Sequence, residues 1–265
     1  MNIFLHELKA YRKSTIIWTV SLIAVFALFM SMFPSFAKDA DEFKKLLEGY
    51  PLALRKALGV NLDTLFTVLG FYSYALTFIV LCGAIQAMNL GTAIISKEVR
   101  EKTADFLLTK PVTRTQVITG KLAAAFTSLV ITNIIYLAAA VIIATRVTTD
   151  DFSIKEFILL SLTMFFVQLM FLAVGIIVSV IVPKIKSVLT VSLGTVIAFY
   201  FIGALAATTD DDVKRYLSPF KYFDNDYILK HASYEAPFLI AGAVIIILAV
   251  AASYILYTKK DIHAV

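Results

Sequence analysis

The chain has 265 residues, 60% of them hydrophobic and 16% charged, with a mean hydropathy of +0.85. A water-soluble fold cannot hide that much apolar surface, so the composition excludes a soluble enzyme or binding module and requires a polytopic membrane protein. The net charge of +5 is scattered between short segments and forms no basic stripe, so no nucleic-acid partner is expected.

Six stretches are long enough to cross a hydrocarbon core, which takes about 20 helical residues. They lie near 16–33, 66–95, 117–144, 156–182, 188–208 and 237–257, separated on one side by loops at 34–64 and 209–236. The expected fold is therefore a single all-α membrane domain over 1–265 with six transmembrane helices and both termini on one side. Placing that side in the cytoplasm puts 13 of the 24 Lys and Arg in the inner segments, and these are the shorter in total. The bias favours an N-in, C-in topology.

Residues 1–15 are polar and basic, with Tyr11 and Trp18 suited to the membrane interface. Ser35-Phe36-Ala37 resembles a leader cleavage site, but the apolar run before it exceeds the usual leader length, so a retained anchor is expected. In the first outer loop, Phe43, Leu46, Leu47, Tyr50, Leu54, Ala57 and Leu58 share one helical stripe, broken at Pro51. The stripe suits a helix lying flat on the outer interface and equally a cap packed on the spans.

The second span carries no charge from Thr64 to Ser96. Gly83, Ala87 and Gly91 recur every four residues, a face that lets another helix approach closely, within one subunit or between two. Gln86 and Asn89 lie near that face, Asn133 is in the third span and Gln168 in the fourth. Such amides either tie helices together or line a substrate path.

Between spans two and three lies the most charge-dense segment, Ile95–Arg114. On a helix, Ile95, Val99, Thr103, Phe106 and Leu107 form an apolar face, with Lys97, Glu98, Glu101 and Asp105 opposite and Glu98 four residues before Lys102. Pro111 ends that helix, and Thr113 with Gln116 has capping-box spacing for the next, flanked by Val112 and Val117 as a staple. The segment reads as a solvated loop or as a rigid lever for a cytosolic partner. Further on, Pro183-Lys184-Ile185-Lys186 makes a basic turn, and Asp210-Asp211-Asp212 suits a solvated loop start or a cation. Ser218-Pro219-Phe220-Lys221-Tyr222-Phe223 suits an interfacial or partly re-entrant hairpin.

Several kinds of chemistry are missing. No Asp, Lys, Arg or His lies deep within the proposed spans, which disfavours an ion-coupled carrier. No phosphate-binding G-x-x-x-x-G-K-[ST] occurs, since Gly120-Lys121 is followed by Leu122. Cys82 stands alone and His6, His231 and His263 are far apart in sequence, so no metal site and no catalytic residue is expected.

At Ile95–Arg114 the chain resembles the membrane subunits of ABC-2-type ABC transporters. Glu98, Thr103, Leu107, Leu108, Pro111, Val112, Thr113, Arg114 and the pair Gly120-Lys121 follow the family's signature in order. Lys102 stands where the family has glycine, which suits a continuous helix. The six spans and the Ser-Pro-Phe-Lys-Tyr-Phe segment before the last span extend the likeness to the whole chain.

The resemblance implies a coupling helix docking on a separate cytosolic ATPase, through Glu98, Val99, Glu101, Lys102, Thr103, Phe106, Leu107, Leu108, Pro111 and Arg114. It also implies two ATPase copies that bind the ATP and Mg, a second permease subunit (identical or related), and an exporter of the bacterial cytoplasmic membrane that binds no cofactor itself. The rival from another class is a membrane scaffold or immunity protein that sequesters a peptide without turnover.

Overall fold

The computed structural model describes residues 2–100, 112–148, 151–182, 184–208 and 212–259, with 98–100, 212 and 259 by backbone alone. Among these, every regular element is helical. Six helices are long and apolar enough to cross a membrane: α1 (Ile3–Lys38), α4 (Val68–Arg100), α5 (Arg114–Val147), α6 (Ile154–Ile181), α7 (Val188–Ala206) and α10 (Ala236–Lys259). The short helices α2 (Ala40–Glu48), α3 (Leu52–Ala57), α8 (Asp212–Arg215) and α9 (Asn225–His231), with a 3₁₀ turn at Pro219–Lys221, lie in the two larger loops.

The first helix is twice the length its apolar run predicts. Asn2 caps it by accepting from the Leu5 N–H at 3.3 Å, and no Gly or Pro interrupts the chain before Pro34. Phe4, Leu8 and Tyr11, at helical spacing in the basic leader, pack against the core and draw that segment into the helix. At 36 residues α1 is about 54 Å long, well beyond a ~30 Å hydrocarbon core.

Helices α4 and α6 form the centre. About 61% of the apolar window of each is buried, against 17–28% in the other four spans, so those four leave most of their apolar surface to lipid or to another subunit. The backbones of α4 and α6 meet at Gly91 and Gly175. A Cβ on Gly91 would lie 2.5 Å from the Leu172 carbonyl oxygen, and one on Gly175 2.7 Å from that of Met88. Only hydrogen fits in either place. Helix α1 lies along α5 and also touches α4, α10 lies on α6, and α7 lies on α4.

Phe26 of α1 fills the middle of the group, edge-on to Tyr72 and Tyr136 at 5.3 and 6.0 Å between centroids. The Ser-Pro-Phe-Lys-Tyr-Phe segment packs inward: Phe220 meets Phe171 at 5.1 Å, Phe223 stacks on Phe166 at 5.5 Å, and Ser218 donates to the Phe199 carbonyl at 2.7 Å. On the predicted amphipathic stripe, Phe43 stacks on Phe36 of α1 at 4.2 Å, while Leu46, Tyr50, Leu54 and Leu58 stay exposed.

Candidate functional site

The predicted coupling segment springs from two roots, the end of α4 and the start of α5. The α5 root is built as its spacing requires. Thr113 Oγ1 accepts from the Gln116 N–H at 3.2 Å and the Gln116 side chain accepts from the Thr113 N–H at 3.0 Å, a complete capping box. Arg114 then donates to the Thr258 carbonyl at 3.4 Å, tying the root to the end of α10.

Two turns on, Gly120 and Lys121 join the roots to each other and to α1. A Cβ on Gly120 would lie 3.0–3.1 Å from Ile3 side-chain carbons, so glycine admits the start of α1. Lys121, only 1% exposed, donates to Glu7 Oε1 of α1 at 3.1 Å and to the Ile94 carbonyl of α4 at 2.5 Å. One ammonium thus bridges three helices beside the predicted lever. The second oxygen of Glu7 is buried with no hydrogen-bond partner, so among the described residues Lys121 is the cation that balances this carboxylate.

Deeper in the bundle a second polar layer crosses four helices. Thr19 of α1 donates to Thr132 Oγ1 of α5 at 3.1 Å, and Gln86 of α4 donates to the same oxygen at 3.1 Å. Gln168 of α6 donates to Gln86 Oε1 at 3.0 Å and accepts from Asn133 of α5 at 2.6 Å. A third layer joins Tyr72 to Ser161 at 2.7 Å and to Tyr136 at 3.2 Å. Gln168→Leu leaves Gln86 and Asn133 each short of a partner, an expected loss of about 1–3 kcal/mol. Its combination with Asn133→Leu should cost less than the two single losses added together. Thermal denaturation of the purified single and double variants measures this, and strict additivity would show that the layer is not one network.

The remaining predicted residues divide clearly. Gly83 faces Met164 and Gln168 of α6, with their side-chain atoms 3.1 Å from an added Cβ, and Ala87 is fully buried; with Gly91 this face is taken up inside the subunit. Asn89 is half-buried and does not join the amide chain. Of the predicted lever, Glu101, Lys102, Thr103, Phe106, Leu107, Leu108 and Pro111 lie outside the described residues, as do the side chains of Glu98 and Val99. Ile95, assigned by periodicity to the lever's apolar face, instead belongs to the bundle core at 6% exposure. The lever can therefore begin only after it. Asp210 and Asp211 also lie outside the described residues.

Glu7 was missed from sequence, and Lys121 was read only as one of the inner basic residues and as part of the Gly120-Lys121 pair. A signal existed: Lys121 shares its helical face with Ile118, Ala124, Ala125 and Ser128, all buried. A lysine on an apolar stripe asks for an acid, and the leader of α1 offers Glu7.

A family model described as "ABC-2 family transporter protein" matches residues 1–262 of the 265. No curated protein matches the chain. With six candidate spans and nearly the whole length matched, the chain belongs to the ABC-2 family of transporter membrane proteins, as a multi-pass, non-catalytic transport component.

Proposed function

We propose that the chain is the permease subunit of an ATP-driven exporter in a bacterial cytoplasmic membrane, N-in and C-in. Two cytosolic ATPase copies supply the ATP and Mg chemistry, and each docks on the amphipathic helix between spans two and three. The supporting observation is the junction at Lys121, which ties both roots of that segment to α1. A docking partner can transmit motion only through a base that does not yield, and an ion pair among three helices makes such a base. The basic bias of the same end agrees with a cytoplasmic position.

The docking face runs through Glu98, Val99, Glu101, Lys102, Thr103, Phe106, Leu107 and Leu108, with Pro111 and Arg114 fixing the corner. Because the Gly83–Gly91 face is occupied by α6, the second permease subunit would meet the barer helices. The substrate is an amphiphile moved along that apolar subunit boundary, and Asn89 is the amide available to it.

Affinity purification from native membranes in mild detergent tests this reading. The chain is expected to bring down an ATPase with a phosphate-binding loop in equal amount. Val99→Asp with Phe106→Asp should leave the membrane level of the chain unchanged while cutting the co-purified ATPase by about tenfold or more, since two charges would enter an apolar contact. Undiminished ATPase with the double variant would move the docking face elsewhere. A wild-type preparation free of any ATPase would favour the sequestering scaffold.

A further inference from the structure

At the end of the bundle away from the chain termini, the loop helices enclose a cavity of about 860 Å³, within the range of small-molecule sites. Its floor is apolar, with Leu76 of α4, Val167 of α6 and Phe220 beside it. Five cations line it: Lys44 and Lys56 are exposed, Arg215 belongs to the wall, and Arg55 in the last turn of α3 and Lys221 in the 3₁₀ turn are half-buried on separate elements. Asn61 holds the enclosure together by donating to Asp226 of α9 at 2.9 Å, and Asn225 donates to the Ser73 carbonyl of α4 at 3.2 Å.

Among the described residues, neither Arg55 nor Lys221 has a bonded carboxylate. The Arg55 Nε is buried without a hydrogen-bond partner. The helix dipole of α3 explains why a cation sits in its last turn, but not why that nitrogen is both dry and unbonded. Burial pulls the Lys221 amine below its ordinary value; Asp224 opposes this and Arg215 adds to it.

The acids that line the cavity are engaged or exposed. Asp226 accepts from Asn61, and Asp224 caps α9 through the N–H groups of Asp226 and Tyr227 at 2.8 and 3.2 Å. Glu48 and Asp63 are exposed on the rim. Arg215, also in the wall, pairs with Glu235 and lies 4.0 Å from the centre of the Phe238 ring. Arg55 and Lys221, both half-buried and with the Arg55 Nε shielded from water, thus face one cavity above an apolar floor.

We propose that this cavity binds the phosphate group of an anionic amphiphile, with Arg55 and Lys221 on the phosphate and the apolar floor under the first part of its chain. A tetrahedral phosphate presents oxygens in several directions at once, which suits two donors from different elements better than a planar carboxylate does. The site rests on this chain's own side chains and is independent of how an ATPase docks.

Calorimetric titration of the purified full chain in detergent tests it, with three probes: dioctanoyl phosphatidic acid, dioctanoylglycerol and inorganic phosphate. The phosphatidic acid is expected to bind saturably and dioctanoylglycerol, which lacks the phosphate, at least about tenfold more weakly. Arg55→Gln and Lys221→Met should each weaken the phosphatidic acid by about tenfold, while Lys13→Gln at the other end of the bundle should not.

Arg55→Lys, which retains the charge, should keep binding within about threefold, so that loss in Arg55→Gln reports the cation and not the fold. Inorganic phosphate that binds as tightly as the lipid would assign the same site to the free ion; weaker binding assigns it to the headgroup. Equal affinity for dioctanoylglycerol would overturn the proposal. So would wild-type binding of phosphatidic acid by both Arg55→Gln and Lys221→Met.

Discussion

Lys121→Met is expected to be among the most damaging single substitutions outside the α4–α6 contact. It leaves the Glu7 carboxylate buried, with one oxygen already unbonded, and frees the Ile94 carbonyl. Removing one partner of a buried ion pair costs about 3–5 kcal/mol, because the charge that remains is neither hydrated nor paired. For a chain of this length that corresponds to a fall in midpoint temperature on the order of 10 °C. Glu7→Gln should cost less, since a neutral amide can still accept from the ammonium, although the ammonium then lacks a counter-charge.

The informative variant is the double one. Glu7→Leu with Lys121→Met removes both charges and fills their space with hydrocarbon, and such replacements are often neutral or stabilising. Recovery of most of the lost stability in the double variant would identify the ion pair, and not the shape of the site, as the origin of the effect. Fluorescence-detected size exclusion after heating gives the comparison. A Lys121→Met protein as stable as wild type would mean that the pair contributes nothing. A stable double variant that co-purifies less of the proposed ATPase would show that the pair positions the proposed docking segment.

Gly91→Ala is the second large effect, and its sign runs against helix propensity. Alanine favours a helix over glycine by about 1 kcal/mol, so on an open surface the change stabilises. At Gly91 the new methyl would sit 2.5 Å from the Leu172 carbonyl, an oxygen fixed in the backbone of α6. The two central helices must separate, at an expected net cost of about 1–3 kcal/mol. Gly194 of α7 provides the control, because nothing lies within 4 Å of a Cβ built there. Gly194→Ala should be neutral or slightly stabilising in the same heating experiment. Equal effects at the two positions would rule out close packing as the reason for glycine at 91.

These two positions mark different limits of what could be read beforehand. Gly91 was visible as part of a four-residue repeat with Gly83 and Ala87, because close helix packing leaves a periodic trace in one strand of sequence. The trace says that a helix approaches; it carries no information about which one. Glu7 and Lys121 stand 114 residues apart, and each by itself looks like an ordinary solvated charge. The amides Gln86, Asn133 and Gln168 were legible as a group with two uses, tying helices or facing a path. The tertiary arrangement joins these three by hydrogen bonds and leaves Asn89 aside.

The length of α1 was misjudged for a related reason. Hydropathy registers the part of a helix that suits lipid, and the basic stretch ahead of it scores as loop. Its helicity depends on Phe4, Leu8 and Tyr11 finding the core of the bundle, which a window along the chain cannot see. The outer cavity lay even further from view. Arg55 and Lys221 come from loops separated in sequence by four candidate spans, and each is unremarkable among neighbouring charges.

The sequence by itself determined the apolar surroundings, the number of candidate spans, the capping box at Thr113 and the family. Each of these is written in local composition or in short spacing, because partition into lipid and helix initiation depend on residues close together in the chain. Tertiary structure alone decided which helix fills the Gly83–Gly91 face, which acid balances Lys121, and which cations share the outer cavity. Those outcomes depend on Coulomb energy, desolvation and steric contact between groups far apart in sequence, and only the packed bundle brings them within reach of one another.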